Sequence, residues 1–101
     1  MIKFNFFIQR FAEDITLSAG NDTYQNYSQN VIVYAGEGNN LVFNYGNNSS
    51  IIAGSGSDTV VNSLSGGVLL NGGSGNNGFG NFYGDNVTMI GGTGSDRFSS
   101  R

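Results

Sequence analysis

The chain has 101 residues, is 38% hydrophobic and 11% charged, carries a formal net charge of −3, and contains 17 Gly but no Cys, His or Pro. This describes one small domain without disulfides or thiolate metal sites, and without the commonest general base and zinc ligand. Its four cations, Lys3, Arg10, Arg97 and Arg101, form no basic cluster for nucleic acid, and no run of about 18 apolar residues offers a membrane-spanning helix.

Residues 1–18 hold four of the eight Phe, at positions 4, 6, 7 and 11. This segment reads as a strand or short helix that caps the remainder of the chain. Its apolar run is interrupted by Asn5 and Gln9 and no small-residue cleavage site comes after it, so it is a poor signal peptide and export implies another route. Over fewer than ten residues, Phe4 to Ala12 resembles a short leader of some bacterial surface and phage structural proteins.

From residue 19 one phrase recurs: Ala19-Gly20-Asn21-Asp22, Ala35-Gly36-Glu37-Gly38-Asn39-Asn40, Ala53-Gly54-Ser55-Gly56-Ser57-Asp58, Gly72-Gly73-Ser74-Gly75-Asn76-Asn77 and Gly91-Gly92-Thr93-Gly94-Ser95-Asp96. Its last residues form a column, Asp22, Asn40, Asp58, Asn77, Asp96, with steps of 18, 18, 19 and 19. A second column, Asn26, Asn44, Asn62, Asn81, keeps the same spacing. A period this regular predicts stacked coils. The fold class expected is all-β: a right-handed parallel β-solenoid of about four and a half coils over residues 19–98, with a short tail at 99–101.

Each coil is expected to hold two strands. The first comes directly after the Gly-rich turn, and its middle residue is large or branched throughout: Tyr24, Val42, Val60, Phe79, Phe98. One inward position between two outward ones produces that pattern. For the second strand two inward sets compete. A strict nonapeptide step selects Val33, Ile51, Leu69 and Thr88; a shift by one selects Tyr34, Ile52, Leu70 and Met89. The second turns are irregular and carry aromatics, Tyr27, Tyr45, Phe82 and Tyr83, which either pack along the solenoid edge or form an exposed stripe.

The repeated phrase, [AG]-G-x-G-[NS]-[DN]-x-[VF], resembles the calcium-binding nonapeptide of RTX (hemolysin-type) proteins, over residues 19–98 and at four of the five turns. The resemblance implies a β-roll, an extracellular or cell-surface setting, and Ca2+ between same-side turns of adjacent coils. The residues carried over are Asp22, Gly36, Gly38, Asn40, Gly54, Gly56, Asp58, Gly73, Gly75, Asn77, Gly92, Gly94 and Asp96. The chemistry is consistent: glycines admit positive φ and converge carbonyls, and calcium takes six to eight hard oxygens. The sequence departs from the motif where Asn40 and Asn77 supply a neutral amide, and the first turn lacks the leading glycines. Calcium-loaded turns and metal-free turns closed by hydrogen bonds are both open at this point.

The Asn26 column predicts a ladder of stacked amides. No catalytic constellation is found: Asp58 and Asp96 lie two coils apart, and no base accompanies Ser55 or Ser57, so no enzyme is expected. A rival to calcium binding is metal-independent assembly. Only three residues come after Phe98, so the last coil is expected to be uncovered. Residues 4–11 of another copy could dock there, joining subunits head to tail into filaments.

Overall fold

A computed structural model of the protein describes residues 14–101. The expected cap and the docking role assigned to residues 4–11 fall mostly or wholly outside them. Ten strands run in order: β1 (Ile15–Thr16), β2 (Thr23–Asn26), β3 (Ile32–Tyr34), β4 (Leu41–Asn44), β5 (Ser50–Ile52), β6 (Thr59–Ser63), β7 (Leu69–Asn71), β8 (Gly78–Phe82), β9 (Thr88–Ile90) and β10 (Arg97–Ser100). There is no helix among the described residues.

Odd strands form one parallel sheet, β1-β3-β5-β7-β9, and even strands another, β2-β4-β6-β8-β10. Each coil gives one strand to each sheet, so the chain is an all-β parallel solenoid. β1 pairs with β3, with Ile15 opposite Val33, so the stack takes in residues preceding the first Gly-rich turn. At the other end Ser99 and Ser100 belong to β10 and pair with Gly80 and Asn81.

In the even sheet the register runs Tyr24, Val42, Val60, Phe79, Phe98, as the period-2 pattern predicts. In the odd sheet it runs Ile15, Val33, Ile51, Leu70, Met89. Neither competing set for the second strand is therefore correct throughout. Val33 and Ile51 come from one set, Leu70 and Met89 from the other. The cause is the extra residue of the last two full repeats, which is absorbed before the strand. Asn26 and Asn44 reach the turn carbonyl two residues on, whereas Asn62 and Asn81 reach the one three residues on. The inserted positions, Leu64 and Tyr83, sit at φ of 61° and 63°.

The core between the sheets is narrow: Val31, Val33, Ala35, Val42, Ile51, Ala53, Val60, Val68, Leu70 and Phe79. Tyr24, Met89 and Ile15 pack against its ends. Where Val60 is succeeded by the larger Phe79, Ala53 is succeeded by Gly72, whose missing Cβ would lie 2.6 Å from the Phe79 ring. Volume is thus conserved across the layer.

The Asn ladder closes one side of the core. Asn26, Asn44 and Asn62 are fully buried, and each Nδ2 donates to the Oδ1 of the next rung, at 2.8, 2.9 and 3.0 Å. The second amide hydrogen goes to a turn carbonyl of the same coil, Ser28, Gly46 or Ser65. A polar column inside an apolar stack is stable only when every donor and acceptor is matched.

Candidate functional site

The Gly-rich turns stack along one corner of the solenoid, and backbone approach dictates their glycines. Gly56 has φ 102°, and a Cβ there would collide with the carbonyl of Gly38 in the coil before. Its equivalents Gly38, Gly75 and Gly94 meet the same obstruction from Gly20, Gly56 and Gly75. The leading glycines have another part. The carbonyls of Gly36, Gly54 and Gly73 accept the N–H of Ser55, Ser74 and Thr93 in the next turn, at 3.2, 3.0 and 3.0 Å. Gly92 occupies the same position in the last turn, at φ 81°.

The Asp/Asn column lies on the inner side of these turns, and one hydrogen bond repeats along it. Each side-chain Oδ1 accepts the backbone N–H of the preceding rung: Asn40 from Asp22, Asp58 from Asn40, Asn77 from Asp58, and Asp96 from Asn77, all at 2.7–2.8 Å. That N–H orients each amide, because only oxygen can accept it. The remaining atom of each side chain points back into its own turn.

That second atom distinguishes Asn from Asp. Asn77 Nδ2 lies within 3.2–3.4 Å of the carbonyls of Gly72, Ser74 and Gly75. Asn40 Nδ2 is similarly placed toward Ala35, Glu37 and Gly38, at 3.3–3.5 Å. Both amides place a donor where the turn carbonyls converge, so these turns are closed without an ion. Asn40 and Asn77 do not fit the ligand role that the RTX resemblance implies: their oxygens face the neighbouring N–H and their NH2 groups fill the carbonyl cradle.

In the Asp turns the equivalent atom is an oxygen with nothing to accept. Asp58 is 1% exposed, and its Oδ2 is buried with no hydrogen-bond partner. By register with the two Asn turns, the carbonyls converging there belong to Ala53, Ser55 and Gly56. Burial pushes the Asp58 carboxyl above its ordinary value, against the lowering effect of hydrogen bonding from Asn40. An orphaned carboxylate oxygen among carbonyl oxygens calls for a cation or a proton. The donor set of hard oxygens fits calcium.

Asp22 Oδ2 is likewise buried and unpartnered, while its Oδ1 accepts from the Ser18 hydroxyl at 3.1 Å. Asp96, in the last turn, is only partly buried. The column therefore separates into closed Asn turns and open Asp turns, and among the described residues Asp58 is the Asp with a Gly-rich turn stacked on each side. Among the described residues no three carboxylates gather into a cluster, so any ion here would rely on a single carboxylate and main-chain oxygens.

An outer ladder, not anticipated from the sequence, runs beside this column. Asn21, Asn39 and Asn76 accept through Oδ1 from the N–H of Asn39, Ser57 and Ser95, at 2.7–2.8 Å. Its signal was the Asn or Ser immediately before each column residue. Of the aromatics expected at the second turns, Tyr27, Tyr45 and Tyr83 are exposed, whereas Phe82 ends strand β8 and is half-buried; Tyr27 and Tyr45 stack face to face, with centroids 5.0 Å apart. No family model matches this sequence, and no curated protein or solved structure matches it.

Proposed function

We propose that the protein is a non-catalytic β-solenoid module of the extracellular space or cell surface, which binds calcium at its Asp turns, with Asp58 as the principal carboxylate. The observation that supports this reading is the Asp58 Oδ2, buried without a donor at the very place where Asn40 and Asn77 bring an NH2 group. A cation at Asp58 would draw on the carboxylate and on the carbonyls of Ala53, Ser55 and Gly56. Calcium, when bound, supplies positive charge that compensates the converging oxygens, and so ties the Asp58 turn into the stack.

A site with one carboxylate binds weakly, in the range of about 10⁻⁴–10⁻³ M used by extracellular modules. Such affinity suits surroundings rich in calcium, which supports the extracellular reading. The absence of His and Cys from the sequence supports a role without catalysis.

The test is thermal unfolding across a calcium titration against a chelator control. With that affinity, about 10 mM calcium stabilises the folded chain by about 1.4–2.7 kcal/mol. Asp58→Asn is expected to abolish the response and Glu37→Ala to preserve it. A wild-type midpoint that does not move with millimolar calcium refutes the proposal.

A further inference from the structure

We infer that the outer face of the even sheet carries a binding notch for a carboxylate ligand, floored by Gly78 and flanked by Thr59 and Arg97. The inference does not rest on calcium. It rests on a glycine that the fold does not require, on the groove that its missing side chain opens, and on the donors around that groove.

Gly78 stands in a column of larger residues. In register it comes after Thr23, Leu41 and Thr59 and before Arg97. Period-2 alternation turns this column outward, because the next residues along, Val42, Val60 and Phe79, fill the core. Other glycines of these coils have steric reasons. Gly56 has positive φ and the Gly38 carbonyl against it, and Gly80 lies under the Phe82 ring, 3.4 Å from the place of its Cβ. Gly78 has neither reason. It lies outside the left-handed region, and a Cβ there would meet nothing within 4 Å. A glycine inside a strand forfeits entropy and packing, and marks a place where something else approaches the backbone.

The space left open is a groove of about 420 Å³, within the range of about 300–1,000 Å³ typical of small-ligand sites. Ser57, Thr59, Asn76, Gly78, Ser95 and Arg97 line it. Strands β6 and β10 both pair with β8, so Thr59 and Arg97 bound the notch on either side. Their backbones lie about 9.6 Å apart, two strand spacings, which makes the opening one side chain wide. It faces sideways from the sheet and not along the stack.

The groove is lined with donors. Asn76 Oδ1 accepts the Ser95 N–H at 2.8 Å, which leaves its NH2 group to the groove. Ser57, Thr59 and Ser95 bring exposed hydroxyls, and Arg97 brings an exposed positive charge. The adjacent carboxylates are turned away. Asp96 Oδ1 accepts the Asn77 N–H at 2.8 Å, and its Oδ2 lies over Gly91 in its own turn; Asp58 is buried. Donors gathered around one guanidinium select an acceptor-rich anion, and a planar carboxylate matches the guanidinium fork. A carboxylate ligand one side chain wide is a short dicarboxylate or the Glu side chain of an extended peptide.

The test is an amide NMR titration of the full chain in excess chelator, so that no bound ion recruits the carboxylate. The probes are acetyl-Gly-Glu-Gly-amide, its Gln counterpart and glutarate. The Glu peptide is expected to shift the Gly78 and Arg97 resonances and to saturate at millimolar concentration. Loss of a charge-assisted pair should weaken the Gln peptide at least about tenfold. Glutarate that matches the Glu peptide identifies a free dicarboxylate as the ligand; glutarate that binds more weakly identifies an acidic peptide. Gly78→Thr, which repeats the residue of the coil before, should fill the notch and abolish the shifts. Its melting midpoint should stay level or rise, since Thr suits a strand better than Gly. Arg97→Gln should remove the preference for Glu over Gln. The inference is overturned by the absence of shifts at millimolar probe, by equal binding of the Glu and Gln peptides to wild type, or by a Gly78→Thr chain that binds like wild type.

Discussion

Replacing Asp58 by Asn exchanges one oxygen for an NH2 group and is expected to stabilise the metal-free protein. Oδ1 keeps the Asn40 N–H at 2.7 Å, so the inter-coil bond survives. The other atom changes from an unpartnered acceptor into a donor facing turn carbonyls, as in the Asn40 and Asn77 turns. A buried polar atom left without its partner costs about 1–3 kcal/mol. The donor distances in the Asn turns, 3.2–3.5 Å, are long, so the new bonds contribute at the low end of their range. The net gain is about 2 kcal/mol at neutral pH, a rise in melting midpoint of about 8–16 °C for a domain of this size. The assay is thermal unfolding by circular dichroism in excess chelator. The dependence on pH provides a second readout. Burial raises the Asp58 carboxyl in the folded state above its ordinary value of 3.8, so the folded chain holds this proton more tightly than the unfolded chain does. The stabilisation from that proton is complete below the unfolded value and is lost as pH rises through the folded one. The advantage of Asp58→Asn over wild type should therefore shrink as pH falls toward about 4. A variant no more stable than wild type in chelator at pH 7 would show that the oxygen is already satisfied, and would refute the reasoning.

Asn44→Ala removes the middle of the amide ladder and strands Asn26 Nδ2 and Asn62 Oδ1, so urea unfolding should show a loss of about 2–5 kcal/mol; a loss below about 1 kcal/mol would mean that water replaces the rung. Gly56→Ala and Gly78→Ala separate steric from compositional roles of glycine. The first forces a Cβ into the Gly38 carbonyl at φ 102° and should cost more than about 2 kcal/mol, whereas the second meets nothing within 4 Å and should be neutral to about 0.5 kcal/mol. Equal effects from the two in parallel melts would contradict the stacked-turn account.

The columns legible in the sequence carried most of the fold. A step of 18 or 19 residues states which residues stack, and stacking in register implies parallel strands, buried Asn amides and a core column from Tyr24 to Phe98. That inference is one-dimensional and needs no knowledge of the backbone path. The facing of the second strand was not legible, because one extra residue can be absorbed on either side of it. The backbone decides this by placing Leu64 and Tyr83 at positive φ before the strand, so that Leu70 succeeds Ile51. The division of the Gly-rich turns was also hidden. Asn40 and Asp58 align in sequence as weaker and stronger versions of one ligand, yet the shared N–H contact turns the Asn NH2 into the cradle and leaves the Asp with an orphaned oxygen. Asp58 and Asp96 carry the same local phrase, Gly-Ser-Asp, but only Asp58 is buried, because it has a coil on each side. Burial and the direction of a hydrogen bond depend on neighbours 18 or 19 residues away in both directions, and the tertiary stack alone sets these.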